Sequence, residues 1–201
     1  MLTYLRLQWK LAEEDAEDLT QEFFASAFEK QYLARYDASR ARFRTFLRSC
    51  VDRMVMNAAK ASSRLKRGGG LIAVPLDVAD DTDLVVDSAN EEMDTLFRQE
   101  WIRSLFEQAI DKLRDECAVA GKDVQFAVFE KYDVLGPSAA TPPSYGGLAV
   151  EFGIPETQVT NYLAFARRRF RHHVIETLAV LTATDDELAA EAREILGVEI
   201  P

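Results

Sequence analysis

Cysteine and histidine are scarce in this chain and apolar runs are short, and each shortage removes a class of function. The two cysteines among 201 residues, Cys50 and Cys117, lie far apart, each in a helical pattern among apolar neighbours. That placement predicts buried free thiols and leaves no basis for a disulfide framework or a cysteine metal site. His172 and His173 are the only histidines. They follow an arginine run and have no Ser, Cys or carboxylate at a suggestive spacing, so a surface or phosphate-contacting role is expected instead of catalysis. No apolar run approaches the length of a bilayer span. Met1-Leu2-Thr3-Tyr4 followed by Arg6 and Lys10 lacks the pattern of a signal peptide, so a cytoplasmic protein is expected. Gly68-Gly69-Gly70 lacks the Lys-Ser/Thr of a phosphate loop and follows a helical pattern instead of preceding one. The acidic residues do not fall in EF-hand order. No catalytic residue, cofactor or metal is therefore expected.

Positive charge is also in the minority, with 24 Lys and Arg against 34 Asp and Glu and a net charge of −10. Yet it is concentrated. Arg40, Arg42, Arg44, Arg48, Arg53, Lys60, Arg64, Lys66 and Arg67 stand against the single acid Asp52. Within the same stretch Phe43, Phe46, Leu47, Cys50, Val51, Met54, Ala58, Ala61 and Leu65 recur at i, i+3, i+4, i+7, which predicts an amphipathic helix over 43–67 stopped by the three glycines. A basic helix kept inside an acidic protein suits a polyanion ligand, and a merely solvated basic face is the alternative.

Helical patterns fill most of the remaining chain. A short one runs through Leu2, Leu5, Trp9 and Ala12. Asp15 is placed as an N-cap with Asp18 three residues on, opening a helix through about Tyr32 with Leu19, Phe23, Ala27 and Phe28 inward and Asp15, Asp18, Gln21 and Glu22 on another face. Acids in a first turn also complement the helix dipole without further purpose. Leu33 to Arg42 reads as a loop. Residues 71–90 break with Pro75 and gather Asp77, Asp80, Asp81, Asp83 and Asp87, an acidic linker. Helices are predicted from Glu91 to about Ala120, from Val124 to Tyr132, for a short turn after Ser144, from about Pro155 to Leu181, and in an acidic tail from Asp185 to about Leu196, with a loop over Gly136–Pro143. No strand pattern or repeat is present. The expected fold is all-α, with two small helical domains at 1–70 and 91–183, the linker at 71–90 between them and an acidic tail at 184–201.

Residues 144–171, SYGGLAVEFGIPETQVTNYLAFARRRFR, carry the clearest local motif: a short helix, a turn centred on Gly153 and a longer helix with a basic end. Val159, Leu163, Ala166 and Phe170 would face a core and Thr157, Thr160, Asn161, Ala164, Phe165 and Arg168 would face outward. A helix-turn-helix presents its second helix to the major groove in this way. Thr and Asn reach base edges, and Arg167, Arg168, Arg169 and Arg171 reach phosphates. An ordinary helical hairpin is the alternative.

Three segments together carry a family resemblance: DAEDLTQEFF (Asp15 to Phe24), FRTFLRSCVDRMVMN (Phe43 to Asn57) running into KRGGG, and SYGGLAVEFGIPETQV. In order and spacing the chain resembles extracytoplasmic-function (ECF) RNA polymerase sigma factors of the sigma-70 family, closest to the branch with a KRGGG segment after region 2. The resemblance implies sigma region 2 followed by a region 4 helix-turn-helix. It implies core RNA polymerase as partner, through the β′ clamp and β flap, with Asp15, Asp18, Gln21 and Glu22 on the docking face. It implies promoter −10 DNA taken by the loop and basic helix. There Tyr36 would stack on a flipped base, Asp37 and Ser39 would bond its edge, and Arg40, Arg42, Arg44, Arg48, Lys60, Arg64 and Arg67 would hold and open the duplex. For the −35 element it implies Thr157, Thr160, Asn161, Phe165, Arg167, Arg168 and Arg171.

The chain departs from that pattern in three places. Asp52-Arg53 and Asn57 stand where the family commonly has Arg-Asn and a later Asp, Thr160 and Phe165 replace common basic residues, and the helix that packs ahead of the docking helix is expected to be short or absent. Two further readings therefore stay open: a degenerate sigma-like module that binds an anti-sigma factor, and a stand-alone helix-turn-helix regulator. An anti-sigma factor or a regulatory kinase is a possible further partner.

Overall fold

A computed structural model describes residues 1–29, 36–37, 41–65 and 91–197, apart from the side chains of 28–29, 61–65 and 91–94. Among these residues there is no strand. The helices are α1 (Leu2–Trp9), α2 (Glu13–Glu29), α3 (Phe43–Leu65), α4 (Glu91–Val119), α5 (Asp123–Phe129), α6 (Tyr145–Phe152), α7 (Glu156–Leu181) and α8 (Asp185–Leu196). The all-α expectation holds, and most helix ends fall within two or three residues of where periodicity puts them. The Lys66–Gly70 segment and the acidic stretch 71–90 lie outside the described residues.

Two boundaries differ from expectation for local reasons. Ala16 N donates to Ala12 O at 3.0 Å, so α2 starts upstream of Asp15, which lies in its first turn and is not its cap. After α5 the chain does not loosen at Tyr132. It continues as a π-helical turn, Glu130–Leu135, and a 3₁₀ turn, Gly136–Ser138.

The chain forms two compact units, the first comprising Met1–Arg103 with Thr182–Glu187. Its core gathers Tyr4 and Leu5 of α1, Phe23 and Ala27 of α2, Phe46, Val51 and Met54 of α3, and Phe97 of α4. Each large side chain so enclosed contributes roughly 1.5–3 kcal/mol relative to exposure. The α1 helix is short but present, and it is pinned to α3 by a polar contact. Tyr4 Oη donates to Asp52 Oδ1 at 2.7 Å and Trp9 Nε1 donates to the same oxygen at 3.0 Å. Burial, and then the bond to Asp52, pushes the Tyr4 hydroxyl well above its ordinary range, so it stays a donor. The odd acid of the basic helix is thus an internal anchor for the first helix. Cys50 is enclosed beside it, and burial pushes its thiol up to about 12.

The second unit comprises Ser104–Leu181 with Leu188–Pro201. One cluster packs Leu113 and Cys117 of α4 with Phe126 and Phe129 of α5, Leu148 of α6, and Val159, Leu163 and Ala166 of α7. A second holds Leu105, Ala109, Val174, Leu178 and Ala192, flanked by Leu188, Ile195 and Leu196 of α8.

Candidate nucleic-acid and polymerase interface

On α2, apolar and acidic residues separate cleanly. Ala16, Phe23 and Ala27 are buried, whereas Asp15, Asp18, Gln21 and Glu22 are all exposed. The helical period puts positions 15, 18 and 22 on neighbouring turns of one surface. Such a face offers negative charge and amide groups to a partner and contributes little to the core beneath it.

The basic helix is less uniform than its sequence. Arg42, just before α3, and Lys60 are exposed, and Arg44 is half-buried. Arg48 departs from its expected DNA-facing place: it is only 4% exposed, on the side of α3 that meets the core. A period of 3.6 puts position 48 beside 51 and 55, both buried, so its stem serves packing. Ser39, Arg40 and Arg67 and the side chain of Arg64 lie outside the described residues. Asp37 is exposed and accepts the Ala41 amide on its backbone carbonyl.

Tyr36 is held on three sides. Its ring meets Phe43 edge-on at 5.2 Å between centroids and Phe46 at 5.5 Å. Its hydroxyl donates to Glu187 Oε1, and the same oxygen accepts the Phe43 amide at 3.0 Å. Glu187 sits near the C-terminus in sequence, and no periodicity argument links it to Tyr36.

In the second unit the helix-turn-helix geometry follows from two local signals. Ser144 Oγ accepts the Gly147 amide at 3.0 Å and caps α6, and Gly153 takes φ 64° to end it, with Ile154 N returning to Ala149 O at 3.0 Å. A left-handed residue at this position is costly for any side chain with a Cβ. The turn aims α7 so that Val159, Leu163 and Ala166 are buried and Thr157, Thr160, Asn161, Ala164, Arg168 and Arg171 are exposed. Phe165 is half-buried against the core, its ring covered by Lys122 Nζ at 4.3 Å.

The arginine run divides by function. Arg167 forms a bidentate pair with Asp133 of the π-helical turn, both N–O distances 2.8 Å, which holds its guanidinium charge even more firmly than usual. Arg169 Nε donates to Glu116 of α4 at 2.8 Å. His173, expected at the surface, is 8% exposed, with Nε2 2.7 Å from Glu116 and Nδ1 3.2 Å from Glu176. Burial alone would raise Glu116, but the hydrogen bonds and charges of Arg169 and His173 outweigh it and hold the carboxyl below its ordinary range. Asp133, Glu116, Asp52 and Glu187 are all contacts that sequence reading misses, because each partner is distant in sequence. Among the described residues no group of His, Cys, Asp and Glu is placed to hold a metal, and no helix is long and apolar enough to cross a membrane.

A family model described as ECF sigma factor matches residues 5–176, from within α1 to within α7. The chain belongs to the ECF sigma factor family. Neither the curated proteins nor the solved structures hold a match to it. Membership makes this ECF sigma factor a transcription-initiation protein whose family partners are RNA polymerase and promoter DNA. The match takes in both the exposed α2 face and the α6–α7 helix-turn-helix, and it ends before α8.

Proposed function

We propose that this ECF sigma factor bridges core RNA polymerase and promoter DNA with no chemistry of its own. The exposed face of α2, carried by Asp15, Asp18, Gln21 and Glu22, docks on the β′ clamp. Tyr36, Arg42, Arg44 and Lys60 bind and open the −10 element. The second unit engages the β flap and reads the −35 element through α7, where Thr157, Thr160 and Asn161 meet base edges and Arg168 and Arg171 meet phosphates. The reading rests on one observation above all: a capped, Gly-turned helix-turn-helix whose second helix exposes five polar side chains in a row of turns, in a chain of this family. Asp52 speaks for an intact region 2 and against a degenerate one, because it bonds Tyr4 and Trp9 and so substitutes for no DNA contact.

Reconstitution tests it. Purified chain and core polymerase are incubated with genomic fragments, and single-stranded thymines are mapped by permanganate. Discrete open regions that need both proteins are expected. Duplex binding by the chain alone, with no opening when core is added, would replace this reading with a stand-alone regulator.

A further inference from the structure

Glu187 makes contacts with Tyr36 and the start of α3 that its place in sequence does not foretell. The Phe43 amide is the first of α3, one of the donors that a helix start leaves unsatisfied, and such a site accepts a carboxylate or a phosphate alike. Here it is filled from within the chain: Glu187 Oε1 takes both the Phe43 amide at 3.0 Å and the Tyr36 hydroxyl. The carboxylate is itself held in place. Its Oε2 accepts the Ala183 amide at 3.0 Å, and the Glu187 amide donates to Thr184 Oγ1 at 3.2 Å, a variant of the capping box at the start of α8 in which the carboxylate reaches the amide just before the cap residue. Asp185 and Asp186 precede it in the same turn, so the turn that carries Glu187 holds three acids and adds negative charge beside that carboxylate. The aromatic packing of Tyr36 on Phe43 and Phe46 further commits the ring that would receive a base.

We propose that the Thr184–Glu187 turn is an intramolecular gate, with the Glu187 carboxylate standing in for a DNA phosphate at the start of α3 and holding Tyr36 until promoter strands displace it. The inference rests on the −10 role given above to Tyr36 and Arg42. It adds a regulatory element beyond residues 5–176, the span that the family model matches.

The test uses the full chain and a fluorescein-labelled pool of random single-stranded 20-mers, read by anisotropy, with core-polymerase binding measured on the same proteins. Glu187→Ala should bind the pool about tenfold more tightly, as expected for loss of a charged competitor with two hydrogen bonds. Glu187→Gln, which keeps the packing, should show a smaller gain. Tyr36→Ala added to Glu187→Ala should erase the gain, and hydrogen exchange at the Phe43 amide should quicken in Glu187→Ala. Thr184→Ala weakens the same cap yet keeps the carboxylate, and should leave affinity unchanged. Equal affinity of wild type and both Glu187 variants, with core still bound, overturns the gate and leaves the sigma reading standing. An equal gain from Thr184→Ala overturns it too, since a loosened segment would then suffice. If no variant binds either DNA or core, the functional reading itself has failed and the gate with it.

Discussion

The two units treat their charges in opposite ways. In the second, two cations of α7 are consumed by the unit's own acids, Arg167 by Asp133 and Arg169 by Glu116, while the polar residues proposed to read DNA stay open. In the first, the acidic face of α2 stays open, while Tyr36, proposed above to bind the −10 element, is engaged by a carboxylate. Charge counted along a sequence therefore overstates what a DNA ligand meets. Of the four arginines between 167 and 171, only Arg168 and Arg171 are exposed.

Substitutions can break this contrast. The largest effect is expected from Asp18→Lys with Glu22→Lys: affinity for core polymerase should fall about a hundredfold or more, the size of an interface hot spot. Thermal stability should scarcely move, because exposed substitutions seldom exceed about 0.5 kcal/mol. Unchanged affinity in a pull-down titration would remove α2 from the interface.

Asp52→Ala should act on stability alone. Leaving the Tyr4 and Trp9 donors without their charged acceptor should cost about 3 kcal/mol by denaturant unfolding. Asp52→Asn should recover part of it. If instead Asp52→Ala left stability intact and altered promoter opening, Asp52 would be a DNA-side residue after all.

Glu116→Gln should cost the second unit about 1–2 kcal/mol through its lost charged hydrogen bonds. The pH dependence gives the sharper sign. A carboxyl held below its ordinary value adds stability above that value, about 4.3, and loses it as pH falls through the lower folded value. The wild type should therefore weaken on acidification over that window, and Glu116→Gln should flatten the acid limb. A parallel acid limb in both proteins would show that Glu116 does not carry it.

The smallest effect separates neighbouring arginines. Arg168→Ala should lower the slope of log affinity against log salt for promoter DNA by about 1, the signature of one lost phosphate contact. Arg167→Ala should leave the slope alone and cost about 0.5–1 kcal/mol of stability, as for a partly exposed ion pair. A reversal of the two would mean that Asp133 releases Arg167 when DNA binds.

What was legible in the sequence was whatever is written locally. Ser144, Gly153 and the 3.6-residue period place the helix-turn-helix within a residue or so, because a cap and a left-handed turn need only near neighbours. The buried faces of α2 and α3 follow for the same reason. The Asp52 anchor was not legible, since Tyr4 and Trp9 lie 48 and 43 residues away and an isolated acid on a basic helix looks like a defect. His173 misled because an arginine run suggests a wet surface, whereas Arg169 is drawn inward by Glu116. The π-helical turn was lost where the apolar period lapses before Gly136-Pro137. Without it Asp133, the partner of Arg167, has no place to be deduced from.

The enclosed cysteines have a practical side. Cys50, its thiol pushed up to about 12 by burial, stays in the thiol form at neutral pH, and the thiolate is the species that reacts. Cys117 is equally enclosed, and burial raises its thiol too. The folded chain should thus be nearly silent to maleimides and mild oxidants without removal of either native residue. A single cysteine introduced on an exposed position of α2 or α7 would be the reactive one, so dyes for watching polymerase or promoter engagement can be attached to the otherwise natural protein.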